Sequence, residues 1–126
     1  MITCRSVSAS SEWYQHVLGL ESAHGGDEYE MLTWQRSPVL QLHDTDADEH
    51  PHLVRAGESF GNGVALYLET DDFDAAAARI HGASAHTIVD VLEDVHVNPL
   101  ANHRELWLRD PDGYVIVVAS TYGDVG

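Results

Sequence analysis

The sequence predicts an α+β fold in which a β-α-β-β-β unit occurs twice, and three observations carry that expectation. Residues 103–120 read as a hairpin. His103, Glu105, Trp107 and Arg109 alternate with Leu106 and Leu108, and a β-branched apolar run follows from Tyr114 to Ala119. Between them, Asp110-Pro111-Asp112-Gly113 is turn chemistry: Pro fixes φ, Asp bonds nearby backbone and Gly tolerates positive φ. The same order of elements appears earlier, with Trp34 to Leu42 standing where this hairpin stands later. Finally, two amphipathic helical patterns stop at glycines, Gly19 and Gly82, one in each half.

Taken in order, residues 1–5 form a short strand and Ser6 is placed to cap a helix. Residues 8–18 put Trp13, Tyr14, Val17 and Leu18 at helical spacing. Residues 20–24 and 28–35 are strands divided by Gly25-Gly26-Asp27, and Arg36-Ser37-Pro38 turns the chain into an alternating strand over 39–43. Residues 44–62 form a linker, acidic at first and glycine-containing later. It separates modules of about 1–43 and 63–120 within a single domain spanning residues 1–126. Residues 64–69 alternate as a strand, and Asp71 or Asp72 caps a helix carrying Phe73, Ala76, Ala77 and Ile80 on one face. Residues 85–92 are a strand and 93–102 a loop leading into the closing hairpin. Leu40, Leu42, Val64, Leu66 and Leu68 then face the helices. Gln41, His43, Ala65, Tyr67 and Glu69 face the other way, which suggests a cup lined by mixed polar and aromatic groups.

Composition excludes several classes of partner. Six basic residues against twenty-one acidic ones give a formal charge of −15. Such a surface repels nucleic acid and anionic membranes, which are bound mainly by neutralising phosphates with Lys and Arg. No apolar run approaches the roughly 18 residues that span a bilayer, and no signal peptide is visible at the start. The single Cys4 excludes an internal disulfide and fits a cytoplasmic protein.

The segment Trp13-Tyr14 to Val17-Leu18-Gly19-Leu20, the turn Arg109-Asp110-Pro111-Asp112-Gly113-Tyr114 and the doubled element order resemble the vicinal oxygen chelate superfamily. That group includes glyoxalase I, fosfomycin-resistance proteins, bleomycin-binding resistance proteins and extradiol dioxygenases. The resemblance covers essentially the whole chain. It implies two βαβββ modules curled into an incomplete eight-stranded barrel with helices on the outside, a homodimer, and a ligand held in the concave face. In metal-using members, His or Glu side chains from four strand positions hold a metal that acts as a Lewis acid on neighbouring substrate oxygens. Here the first of those positions falls before Met1, and the others fall on Gln41, Ala65 and Val117. Gln is a poor ligand for a divalent ion, and Ala and Val are none.

The expectation is therefore a metal-free small-molecule binding protein resembling the bleomycin-resistance type, without cofactor. Gln41, His43, Tyr67, Glu69, Glu105, Trp107 and Trp34 are its candidate ligand contacts. Carboxylates and aromatics in so acidic a chain favour cationic or amphipathic ligands. The alternative is a glyoxalase- or dioxygenase-like enzyme, a lyase, isomerase or oxygenase. It would use a displaced divalent metal (Zn, Fe, Mn or Ni) on His43, His103 and Glu105, or His43 or His103 as general base. His50 and His52 lie in the acidic stretch and read as part of a solvated loop. His16, His24, His81, His86 and His96 carry no usable pattern. The serines at 6, 8, 10 and 11 read as helix-capping residues, and no nucleophile constellation is evident.

Overall fold

The computed structural model describes residues 1–45, 53 and 57–126. His50, His52 and most of the acidic linker lie outside the described residues. The chain divides into two compact units, Met1–Phe60 and Gly61–Gly126, and each repeats the β-α-β-β-β order.

The first unit runs β1 (Ile2–Cys4), α1 (Val7–Leu18), β2 (Glu21–Gly25), β3 (Tyr29–Trp34) and β4 (Ser37–Asp44). Ser6 is extended at φ −141° and its hydroxyl accepts the Ala9 N–H at 3.2 Å, which satisfies one of the four orphan donors of the first turn. The helix ends at Gly19, in the left-handed region. Of the neighbouring serines only Ser6 caps the helix. Ser10 and Ser11 lie buried within it, Ser11 accepting from Gln15 Nε2 at 3.0 Å. Val7, Tyr14 and Val17 are buried as α1 packs on β3 and β4, whose Leu32 and Leu42 are fully buried. The sheet order is β1-β4-β3-β2, with β1 parallel to β4 and the other pairs antiparallel.

The turn from β3 to β4 differs from the expected Arg36-Ser37-Pro38. It is a two-residue connection at Gln35 (φ 49°) and Arg36 (φ 69°), the conformation whose twist matches antiparallel strands. Pro38 instead lies inside β4, where the register slips between Leu32 and Thr33. A bulge tolerates a residue that cannot donate to the ladder.

The second unit comprises β5 (Ala65–Thr70), α2 (Phe73–Ala83), β6 (Asp90–Asn98), β7 (His103–Arg109) and β8 (Val115–Ser120), in sheet order β5-β8-β7-β6. Asp72 is the cap, its Oδ1 accepting the Ala75 N–H at 3.1 Å. The helix passes through Gly82 and ends at Ala83, so Gly82 does not stop it. Phe73, Ile80 and Ala83 are buried as α2 packs on β8. Val64 is 51 % exposed and precedes β5, so it does not join the helix-facing row; Leu66 and Leu68 do, at intermediate depth. Arg104 stacks on the Phe73 ring at 4.9 Å and reaches Asp74 and Asp124, tying α2 and the C-terminal residues to β7.

The largest departure is β6. The expected strand over 85–92 and loop over 93–102 become one long strand ending at Asn98. Bulged pairing between Val91 and His96 lets an irregular pattern of side chains remain in the ladder. Among the described residues, the eight strands implied by the resemblance are present, four in each unit.

Candidate functional site

The closing hairpin positions most of the site. Asp110 Oδ1 accepts the N–H groups of Asp112 and Tyr114, both at 2.9 Å, and Gly113 takes φ 100°. The turn thereby sets β7 and β8 in a fixed antiparallel register, Trp107 opposite Val117 and Glu105 opposite Ala119. On its other side β8 runs parallel to β5, with Val117 beside Tyr67 and Ala119 beside Glu69. Two rows result: Tyr67–Val117–Trp107, and Glu69–Ala119–Glu105–His96. Both lie on the face opposite Arg104, which is turned toward α2.

Glu105 is buried at the centre of a hydrogen-bond cluster. Its Oε1 accepts from Asn98 Nδ2 at 2.8 Å and from His103 Nε2 at 2.6 Å, and its Oε2 accepts from Trp107 Nε1 at 2.8 Å. His96 Nε2 stands 3.6 Å from Oε2, beyond hydrogen-bond reach. Burial works to raise the Glu105 carboxyl, but the bonds from Asn98, Trp107 and His103 outweigh it and hold the group down at about 2. Tyr67 is 53 % exposed, with its ring 6.3 Å from that of His103. Partial burial, and then the negative charges of Glu69 and Glu105, push its phenol above the ordinary value.

Of the residues expected to contact a ligand, Tyr67, Glu69, Glu105 and Trp107 share this one face of the second unit. Glu105 is there as the anchor of its neighbours, with its oxygens already engaged. Gln41 and His43 share a face of β4 in the first unit, paired with Met31 and Tyr29. His43 is buried, its Nδ1 3.0 Å from the Asp44 carbonyl and its ring 6.5 Å from that of Tyr29. Trp34 is not with them. It stands two residues beyond Leu32 on β3 and shares its face, opposite Met31, beside the Gln35-Arg36 turn. Two residues escaped the sequence reading, Asn98 and His96. The alternation Val95-His96-Val97-Asn98 was their signal, masked by the Asn98-Pro99 turn that comes next.

The resemblance would place metal-ligand positions on Gln41, Ala65 and Val117. Ala65 and Val117 offer only hydrocarbon, and Val117 is 3 % exposed between Tyr67 and Trp107. This donor set does not fit a divalent ion. Among the described residues, no group of three His, Cys, Asp or Glu side chains is placed to hold one. Of the displaced set, His43 belongs to the first unit, and His103 and Glu105 to the second. Among the described residues, no helix is long and apolar enough to cross a membrane.

Two β-α-β-β-β units in tandem, each pairing its first strand in parallel with its last, define the structural class. The chain belongs to the Glyoxalase/Bleomycin resistance protein/Dioxygenase superfamily, whose model matches residues 1–118. No curated protein matches it in sequence. Among solved structures it is similar to a glyoxalase/bleomycin resistance protein/dioxygenase family enzyme from Burkholderia phytofirmans PsJN. The identity is 18%, the coverage 95% of this chain and 94% of that one, and the TM-score 0.74. TioX from Micromonospora sp. ML1 is 16% identical over 94% of this chain and 93% of its own, with TM-score 0.71. A protein of unknown function from Agrobacterium tumefaciens str. C58 is 22% identical, with coverage of 94% and 88% and TM-score 0.74. At these identities the likeness is one of fold.

Proposed function

We propose that this protein is a metal-free small-molecule binding protein whose ligand is cationic or amphipathic. The observation that carries this is the row Tyr67–Val117–Trp107. A hydrocarbon side chain stands where the family's metal ligand would be, and an aromatic ring lies on each neighbouring strand. Strand spacing sets the two aromatic positions roughly 10 Å apart, a separation that suits a flat or branched apolar group between them. Glu69 adds negative charge on the same face, within a chain of formal charge −15, so Coulomb attraction and the ring faces both favour a cation. The protein acts as a cytoplasmic homodimer; a sedimentation mass of 13.9 kDa at micromolar concentration would reject the dimer.

The test is a thermal-shift series in EDTA with aromatic cations and aromatic sulfonates of matched size. Ligands that bind only the folded state raise Tm, so cations should stabilise and sulfonates should not. Trp107→Ala should weaken cation binding by about 1–3 kcal/mol while leaving the fold intact, as loss of an aromatic anchor does. A stoichiometric metal in purified protein, with ligand binding abolished by EDTA, would replace this proposal with the metal-dependent enzyme.

A further inference from the structure

The chain holds one Asn-Gly and one Asp-Gly pair, Asn62-Gly63 and Asp112-Gly113. Both put a side-chain carbonyl carbon within reach of a backbone N–H that no Cβ shields, the arrangement that closes a cyclic imide. By sequence the two are alike. The structure separates them.

Asp112-Gly113 is locked. Asp112 is 9 % exposed, and its N–H donates to Asp110 Oδ1 at 2.9 Å. The Gly113 N–H, which would have to attack, donates to the Asp110 carbonyl at 3.1 Å. Asn62-Gly63 stands open. These are the two central residues of a turn closed by the Val64 N–H on the Gly61 carbonyl at 3.2 Å. Gly61 packs against Tyr114, whereas Asn62 and Gly63 are both exposed. Gly63 takes φ 77°, and nothing lies within 4 Å of the place where a Cβ would sit. The turn uses the N–H of Val64, and that of Gly63 has no partner among the described residues. Rotation about Asn62 therefore carries the Gly63 nitrogen onto Cγ without displacing any packed group.

The other two of the three asparagines are barred. Asn98 precedes Pro99, which has no N–H to attack with. Asn102 precedes His103, which is 4 % exposed at the start of β7, and its own carbonyl accepts the Val125 N–H at 2.9 Å.

We propose that the fold directs spontaneous imide chemistry to Asn62, which deamidates while Asp112 is held inert. The Gly63 nitrogen bonds to Asn62 Cγ, the Cγ–Nδ2 bond breaks, and Nδ2 leaves as ammonia with the proton from Gly63. Water then opens the succinimide. Opening on one side gives Asp; opening on the other gives isoaspartate, whose main chain runs through Cβ and Cγ. Either product is one charge more negative than the formal −15. Isoaspartate also lengthens the backbone by one atom just ahead of β5, the strand that carries Tyr67 and Glu69.

The experiment keeps the full chain in warm, mildly alkaline buffer and follows it by peptide mass spectrometry. Isoaspartate is counted by methyl transfer from S-adenosylmethionine with a protein isoaspartyl methyltransferase. The Asn62 peptide should gain one mass unit and become the methyl acceptor. It should do so about tenfold faster than Asn98 or Asn102, a barrier difference of about 1.4 kcal/mol. Asn62→Gln, which needs a larger ring, should remove the change and leave Tm where it was. Incubation in urea gives a second readout that needs no variant. Unfolding frees the Gly113 N–H, so Asp112 should form isoaspartate there and not in the folded chain. An unchanged Asn62 peptide, a similar rate at Asn98 or Asn102, or isoaspartate at Asp112 as fast folded as unfolded would each overturn the proposal.

Discussion

The indole N–H of Trp107 donates to Oε2 of Glu105, two residues earlier on the same strand, at 2.8 Å. Side chains at i and i+2 share a face of a strand, so the bond runs along β7 and fixes the aromatic ring. Glu105→Gln would turn one of the two acceptor atoms into an amide that can only donate. It would then oppose either Trp107 Nε1 or the pair His103 and Asn98. We expect a destabilisation of about 2–4 kcal/mol by urea denaturation, the scale of breaking a buried charged hydrogen-bond network. A loss below about 0.5 kcal/mol would show that the cluster is not held as described.

Acid should act through the same residue. The Glu105 carboxyl is held at about 2, against an ordinary 4.5. A depressed folded-state value contributes stability that is present above about 4.5 and is lost as pH falls from there toward 2, up to roughly 3 kcal/mol. The denaturation midpoint of wild-type protein should fall across that window more steeply than that of Glu105→Gln. Parallel curves would contradict the assignment.

The Gln35-Arg36 turn holds two side-chain-bearing residues at φ 49° and 69°. Replacing them with Asn-Gly, the pair that this turn favours, should stabilise the protein by about 1 kcal/mol. An unaltered or lowered Tm would count against the turn geometry.

Gly61 takes φ 69°, and a Cβ built there would lie 2.7 Å from the Tyr114 ring and 3.0 Å from its Cα. Gly61→Ala should therefore cost about 1–3 kcal/mol from strain and overpacking together. Gly63→Ala, with a similar φ but open space around it, should cost less. Equal effects would mean that the contact with Tyr114 is unimportant.

Ile116 is fully buried in β8, whereas Leu66, its register partner on β5, is only half-buried. Ile116→Ala should lose about 2–5 kcal/mol, and Leu66→Ala clearly less, because its partly exposed site leaves a smaller cavity. Chemical denaturation giving the reverse order would put β5 and β8 in the wrong environments.

The sequence by itself determined the doubled β-α-β-β-β order, the Ser6 cap, a second cap at Asp71 or Asp72 (which the structure resolves to Asp72) and the Asp110–Gly113 turn. It also determined the face shared by His103, Glu105 and Trp107. Each of these depends on residues within a few positions of one another, where capping, turn chemistry and period-two alternation act directly. It likewise placed hydrocarbon at Ala65 and Val117. Tertiary structure decided the rest. The parallel pairing of β1 with β4 and of β5 with β8 joins segments dozens of residues apart, and no local pattern encodes a partner. The bulges carried β6 through to Asn98, bringing Asn98 and His96 beside Glu105, and alternation along β3 moved Trp34 off the Gln41 face. Whether Glu105 greets a ligand or anchors its neighbours depends on how many donors converge on it. That number is set by the pairing of β6 with β7, which the order of residues along either strand does not contain.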